Sequence, residues 1–297
     1  MEPYQELSRS VAGRCVIVTG AASGMGRTLA VELARRGCHL ALSDVNEAEL
    51  VKTAELASKH GVKVTVKKVN VANRDEVFAW ADEAARDHGK VNLVFNNAGV
   101  ALTATVEAVK ITDFEWIMGI NFWGVVHGTQ AFLPHLRKSG DGHVVNTSSL
   151  FGLMAVPTQG TYNASKFAVR GYTEALRMEL EMEGCGVSAT CVHPGGIATN
   201  IAMAGKIDAS VTAKTGVSEA DHKRAANKLI NVTTAESAAL QILKAVEDNE
   251  RRVLVGPDAR FLDKVVRLLG SAYQVLVMRQ VRKMNDARRH RAVAATR

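Results

Sequence analysis

CVIVTGAASGMGRTLAVELARRG, residues 15–37, is the stretch on which the architecture turns. Its first five residues are apolar or β-branched and read as a buried strand; a turn holding Gly20, Gly24 and Gly26 then leads directly into a segment of helical period. In Thr19-Gly20-Ala21-Ala22-Ser23-Gly24-Met25-Gly26 the glycine spacing fits a dinucleotide site. Gly20 permits a tight turn, Gly24 lets backbone approach a pyrophosphate, and Gly26 lets the helix lie close against the strand. The N-terminus of that helix would face the phosphates.

Working outward, short apolar runs keep alternating with helical segments. HLALSD reads as the second strand, followed by a polar helix at 46–60, a strand at 62–69 and a helix at 73–88. VNLVFNN, HVVNTSS and VSATCVH read as strands four to six, with helices at 112–138 and 160–183 between them. A helix at 233–249, opened by a capping pattern at Thr233 and Glu236, leads into RRVLVG as a seventh strand. Regular alternation with continuous apolar strands predicts a doubly wound α/β fold, a parallel sheet of about seven strands with helices on both faces. Residues 11–256 form one domain in this reading. Within it, the polar, Ala-rich segment 200–232 follows the carboxyl end of the sixth strand, where an open sheet borders its ligand crevice, and is expected to act as a substrate lid.

The charge pattern separates the last stretch of chain from the rest. The net charge is +7, yet residues 251–297 hold twelve Lys or Arg against three acids, a net of +9, leaving 25 basic and 27 acidic residues elsewhere, a net of −2. A nearly neutral body argues against a nucleic-acid partner for the main domain. Apolar residues recur at Phe261, Val265, Leu268, Leu269, Ala272 and Leu276 with cations between them, so 257–297 reads as a basic amphipathic helical tail. Three uses stay open for it: packing on the protein's own substrate cleft or a second subunit, peripheral contact with an anionic membrane, or nucleic acid. The chain has no long apolar run and no leader-like start, which makes cytoplasmic the default location, with membrane association possible through the tail. Four cysteines without paired spacing and nine scattered histidines predict reduced core thiols and no metal site.

Two stretches carry the chemistry. Asp44 ends the second strand eighteen residues after Gly26, where a carboxylate can accept hydrogen bonds from an adenosine ribose and would repel a 2′-phosphate; NAD(H) is therefore favoured over NADP(H). The competing reading is that Asp44 only caps the next helix, which Asn46 could do instead. In HVVNTSSLFGLMAVPTQGTYNASKFAVRGY, Ser148 and Ser149 close the fifth strand, and Tyr162 and Lys166 stand one helical turn apart on one face. A phenol is a poor base at neutral pH, but an adjacent ammonium and a positive nicotinamide ring would favour the phenolate. The strand-end serine can hydrogen-bond a substrate oxygen on which charge develops.

At this point the chain resembles the short-chain dehydrogenase/reductases, in the branch whose cofactor turn reads TGxxxGxG and whose catalytic pair reads YxxxK. The resemblance covers about residues 11–200 and, more loosely, to about 256. It implies a Rossmann-type fold and hydride transfer between NAD(H) and a secondary alcohol or ketone. It also implies a catalytic set of Asn121, Ser149, Tyr162 and Lys166, with Asn121 holding a water that links the lysine to solvent and Lys166 also bonding the nicotinamide ribose. Asn96, Asn97, Ala98 and Gly99 match the family's NNAG beside the adenine ribose, while Pro194, Gly195, Ile197 and Thr199 match the PGxVxT turn that positions the carboxamide. Cofactor contacts are thus expected from Gly20, Ser23, Gly24, Met25, Gly26, Asp44, Asn97, Ala98, Gly99, Tyr162, Lys166 and the 194–199 turn. Asn70, followed by Val71, stands where the family commonly has an aspartate toward the adenine amine; its carbonyl can still accept from that amine. A homodimer or homotetramer is expected on the resemblance alone. Leu150, Phe151, Leu153, Met154, Ile201 and Met203 are read as an apolar rim favouring a hydrophobic substrate. The contrasting function is a non-catalytic dinucleotide sensor on the same fold.

Overall fold

Val16, Val18, Leu40, Leu42, Leu93 and Phe95 face one side of a sheet, whereas Ile17, Ala41, Val94, Val144 and Ala189 face the other, and all are fully buried. Strands buried on both faces must be covered twice, and the computed structural model, which describes residues 10–283, shows how. In chain order the elements are β1 (Cys15–Thr19), α1 (Gly24–Arg35), β2 (His39–Asp44), α2 (Glu47–Ser58), β3 (Val64–Lys68), α3 (Arg74–His88), β4 (Leu93–Asn96) and the short β5 (Leu102–Thr103). Then come α4 (Ile111–Met118), a π-helical turn (Gly119–Trp123), α5 (Gly124–Ser139), β6 (Gly142–Thr147), a 3-10 turn (Leu150–Gly152), α6 (Gly160–Glu183) and β7 (Val187–Pro194). The chain continues through α7 (Ile201–Ala204), the short β8 (Lys206–Ile207), α8 (Ala209–Thr215), α9 (Glu219–Ile230), α10 (Ala235–Glu247), β9 (Arg252–Val255) and α11 (Pro257–Leu269).

Seven strands form one parallel sheet in the order β3-β2-β1-β4-β6-β7-β9, the doubly wound arrangement expected, with its order reversing between β1 and β4. On one face α1 and α10 supply Leu29, Leu33, Ile242, Leu243 and Val246. On the other, α3, α5 and α6 supply Trp80, Phe132, Leu136, Leu176 and Leu180, with the Trp80 and Phe132 rings edge-to-face at 5.3 Å. Each fully buried side chain of this size contributes about 1.5–3 kcal/mol relative to exposure, so the two layers hold the strand ends in place. Cys15, Cys38 and Cys191 are buried free thiols, and burial pushes the Cys15 thiol up to about 12.

Three details depart from the sequence reading. The helix expected at 112–138 is broken by the π turn at 119–123. The cap of α10 is Thr234, whose side chain accepts from the Ser237 N–H at 3.1 Å; Thr233 is held instead in a β-bridge with Ile197. The tail stripe does not pack on the protein's own cleft: Phe261 is 64% exposed and Leu268 87% exposed, with Leu269 and Leu276 exposed as well. The chain stays helical over 273–283, while residues 284–297 of the expected tail lie outside the described residues.

Candidate active site

The turn after β1 is built on sterics. Gly20 adopts φ +66°, and a Cβ there would sit 2.7 Å from the Ala98 Cα. A Cβ at Gly26 would lie 2.1 Å from the Gly20 carbonyl oxygen, so α1 closes on the turn only because residue 26 has no side chain. Asn97 locks the same turn, donating to the carbonyls of Thr19 (3.1 Å) and Gly20 (3.3 Å), and Thr19 Oγ1 accepts from the Asn97 and Ala98 N–H groups. Helices α2, α3 and α10 have side-chain caps at Asn46, Asn73 and Thr234, whereas α5 and α6 have none. Helix α1 has none from Ser23 and no acid in its first turn, which leaves its N–H groups for an anion.

A cavity of about 340 Å³ opens over this turn. Of the residues named from sequence, Gly20, Ser23, Gly24, Met25, Asp44, Asn70, Val71, Asn97, Ala98, Gly99 and Thr199 line it. Gly26, Pro194, Gly195, Ile197, Tyr162 and Lys166 do not. The lining also holds Val45, Val69, Val100, Ala101 and Ile120, and Asn200, Ile201, Ala204 and Gly205 from the segment read as a lid. That segment is pinned by the β5–β8 pair, Leu102 against Lys206 and Thr103 against Ile207, with Lys206 held by Asp113 at 3.0 Å and over the Trp116 ring.

Asp44 is not the cap of α2; Asn46 is, accepting from the Glu49 N–H at 3.2 Å. The Asp44 carboxylate accepts from the Ala22 N–H at 3.0 Å and the Asn46 N–H at 2.9 Å, which ties the end of β2 to the glycine turn and leaves further lone pairs toward the cavity. Arg27, the cation nearest this turn in sequence, is paired with Glu49 at 2.7 Å.

Beyond the cavity, four side chains converge. Ser149 is extended at the end of β6; its hydroxyl accepts from the Phe151 N–H at 3.1 Å and hydrogen-bonds the Tyr162 phenol. Its carbonyl accepts from the Gly152 N–H and from His193 Nδ1, both at 2.9 Å, so the fully buried His193 orients it. Burial pulls the His193 imidazole down to about 4, leaving a neutral ring that acts as a strut. Ser148, by contrast, spends its hydroxyl on the Lys166 carbonyl at 2.7 Å. Lys166 Nζ donates to the Thr147 carbonyl at 2.9 Å and lies 5.7 Å from the Tyr162 ring centroid. Burial pulls the Lys166 ammonium down to about 8 and pushes the Tyr162 phenol up, with the Ser149 hydroxyl opposing that rise. The lowering expected for Tyr162 from its helix-turn neighbour is therefore outweighed by desolvation in the protein alone.

Asn121 sits in the π turn, fully buried. Its amide donates to the Val100 carbonyl (3.0 Å) and Ser165 Oγ (3.2 Å) and accepts from the Val100 N–H (2.8 Å). A Cβ on Gly99 would fall 3.3 Å from Asn121 Oδ1 and 3.5 Å from Lys166 Nζ, so the two groups meet where residue 99 has no side chain. π turns commonly mark functional positions, and this one aims a polar residue inward that a regular helix would rotate away. The model for short chain dehydrogenase matches residues 14–210 of this sheet and site. The chain belongs to the short-chain dehydrogenase family.

Among its relatives, a putative oxidoreductase SadH from Mycobacterium tuberculosis is 44% identical over 274 residues, covering 92% of this chain and 97% of that protein. Estradiol 17-beta-dehydrogenase 11 from Rattus norvegicus is 36% identical over 192 residues, 64% of each chain. A crystal structure of a short chain dehydrogenase/reductase from Burkholderia phymatum in complex with NAD superposes with a TM-score of 0.79 at 30% identity, covering 88% of this chain and 95% of that one. The chain is thus an oxidoreductase of this family on a Rossmann-type, NAD-binding fold.

One residue of this dehydrogenase escaped the sequence reading. Asp258, on the first turn of α11, accepts from the Gly196 N–H at 2.6 Å and fills the space a Cβ on Gly195 would need, fixing the turn after β7. No motif flags it, because the contact spans 62 residues. Of the apolar rim, Ile201 lines the cavity, the Phe151 ring meets that of Tyr162 edge-on at 6.2 Å, and Leu150, Leu153 and Met154 are buried, whereas Met203 is exposed to solvent. Trp123, on the π turn, is half exposed.

Proposed function

We propose that this dehydrogenase moves a hydride between NAD(H) and a hydrophobic secondary alcohol or ketone, with Tyr162 handling the proton. The observation that carries the reading is the convergence of Ser149, Tyr162, Lys166 and Asn121 beside a cavity lined by a glycine turn and an acidic strand end, with Asn121 and Lys166 meeting at Gly99 on its wall. The glycine turn, the uncapped α1 and Asp44 fit a dinucleotide; bound there, NAD(H) supplies the hydride donor or acceptor. Tyr162 gives its phenolic proton to the substrate oxygen in reduction and removes it in oxidation. Ser149 holds that oxygen and stabilises the charge it gains. Lys166 offers a cation beside the phenol, and Asn121, fixed through Val100 and Ser165, keeps a polar path open at Gly99. A hydrophobic substrate is supported by Phe151 and Ile201 at the site and by a relative named for estradiol. Residues 200–232 act as its lid, and the active species is a homodimer or homotetramer, as the family resemblance implies. A panel of secondary alcohols with NAD⁺, followed at the NADH absorbance, tests the reading. Turnover supports it, and tight NADH binding with no turnover on any alcohol or ketone favours a sensor.

NAD(H) is the preferred cofactor, because Asp44 lines the adenosine side and Arg27 is engaged by Glu49. The wild type binds NADH at least ~10-fold more tightly than NADPH, from the cost of a 2′-phosphate beside a carboxylate, and Asp44→Ala narrows that ratio. Equal affinities in a fluorescence titration would refute the assignment.

The directions of the two pKa shifts fix the pH profile. Oxidation needs the phenolate, and burial pushes the Tyr162 pKa above its ordinary value, so oxidative kcat/KM climbs through the alkaline range. Ketone reduction needs the protonated phenol and the Lys166 ammonium; it holds through neutrality and falls as pH rises past about 8. Oxidation that is flat from neutral to alkaline pH would contradict a tyrosine base.

A further inference from the structure

Helix α11 carries its apolar stripe on the outside. Phe261, Val265 and Leu268 recur at i, i+4 and i+7, and Phe261 and Leu268 project into solvent, while the buried positions of the same helix are Ala259 and Asp263. The pattern continues over 273–283, where Val275, Leu276 and Met278 are exposed. Contiguous exposed apolar side chains on successive helical turns mark an interaction surface.

The charges around this stripe are of one sign. Residues 257–283 contain two acids, and both point inward: Asp258 accepts from the Gly196 N–H, and Asp263 is buried and paired with Arg267. The exposed charges are Arg260, Lys264, Arg267, Arg279, Arg282 and Lys283. Among the described residues, Lys264, Arg279, Arg282 and Lys283 make no ion pair with the body. A second copy meeting this face about a two-fold axis would set cation against cation, so self-association fits poorly. Naked phosphate would suit the cations but leave the apolar residues in water. An anionic lipid surface satisfies both, with the stripe at the acyl boundary and the cations at the headgroups. No described helix is long and apolar enough to cross a membrane, so the helices would lie on it.

The inner side of the segment is tied to the reaction centre at two points. Asp258 holds the turn after β7, and the Tyr273 hydroxyl accepts from the Ala155 N–H at 2.9 Å, in the loop joining Ser149 to Tyr162. Helix α11 also rests on the 3-10 turn directly after Ser149. The exposed stripe therefore lies at the substrate end of the molecule.

We propose that residues 257–283 form an interfacial strap that seats the active-site edge on an anionic lipid surface, so that a lipophilic alcohol or ketone reaches Tyr162 from the bilayer. The delivery step rests on the proposed dehydrogenase activity; the surface binding does not. The test is sedimentation of the full-length protein with vesicles of phosphatidylcholine alone or of equal parts phosphatidylcholine and phosphatidylglycerol. The wild type binds the anionic vesicles, loses them at high salt and ignores the neutral ones. Leu268→Glu combined with Leu276→Glu weakens binding on the order of 100-fold, from two exposed leucines lost to the acyl boundary. Arg279→Glu with Arg282→Glu weakens it by at least ~10-fold. Both variants keep the wild-type melting temperature and the wild-type rate on a small water-soluble alcohol. Absence of wild-type binding to anionic vesicles, or equal binding by wild type and variants, overturns the proposal. So does a leucine variant that changes a dimer to a monomer in light scattering without changing sedimentation, which would make the stripe a subunit contact. Tighter binding to duplex DNA than to vesicles at the same salt would likewise replace lipid with nucleic acid. Vesicle binding without turnover on any alcohol would remove the dehydrogenase reading and leave the lipid surface standing.

Discussion

Tyr162→Phe keeps NADH affinity within about twofold of wild type and lowers kcat by about 10²- to 10⁴-fold, the usual contribution of a positioned acid–base group. The substitution removes one oxygen. That oxygen is hydrogen-bonded to Ser149, and the ring, which packs edge-on to Phe151, stays in place. The lost hydrogen bond costs about 1 kcal/mol of stability, too little to unfold the chain. A steady-state assay with an NADH fluorescence titration separates rate from binding, and a variant retaining more than a tenth of the wild-type rate would remove Tyr162 from the chemistry. Because the phenol is raised by burial, the hydroxyl is protonated at neutral pH in the protein alone. Oxidation therefore needs the positive charges of Lys166 and the oxidised nicotinamide to act together on the phenol.

Gly26→Ala is expected to be as damaging by a different route. A methyl group there would lie 2.1 Å from the Gly20 carbonyl oxygen and 2.7 Å from Asn97 Nδ2. Neither can retreat easily: Gly20 is itself 2.7 Å from Ala98 when given a Cβ, and the Asn97 amide is committed to the Thr19 and Gly20 carbonyls. Overpacking at so constrained a point costs about 1–3 kcal/mol or more and moves the turn off its phosphate-binding geometry. NADH affinity should fall by roughly 5- to 150-fold, the range that a cost of this size carries over to binding. Gly171→Ala in α6, where a Cβ would meet nothing within 4 Å, is the matched control and should gain roughly 0.5–1 kcal/mol in thermal unfolding. If Gly26→Ala binds NADH as the wild type does, the helix does not close on the turn as described.

The parts of the fold carried by local pattern were legible from sequence. Alternating strands and helices reached the sheet and its seven strands, and the bounds of α6, read as 160–183, match the helix observed over Gly160–Glu183. Asn121 was picked out by position, but the π turn that holds it spans only Gly119–Trp123, too short a stretch for apolar periodicity to register. Thr233 and Thr234 are both good caps; the bridge between Thr233 and Ile197 decides between them, and such a bridge is a tertiary contact. Asp258 was invisible for the same reason. The tail stripe was visible, but its direction was not: periodicity shows that a helix has an apolar side and says nothing about whether that side meets protein or solvent.

Hydride transfer at the Ser149–Tyr162–Lys166 centre is tested by following the label from NADH deuterated at the transferring position into a hydrophobic ketone. The product alcohol is expected to carry deuterium at its carbinol carbon, with none in water, and Tyr162→Phe should slow the transfer by about 10²- to 10⁴-fold while still binding NADH. Reduction without deuterium at that carbon, or undiminished transfer in Tyr162→Phe, would contradict it.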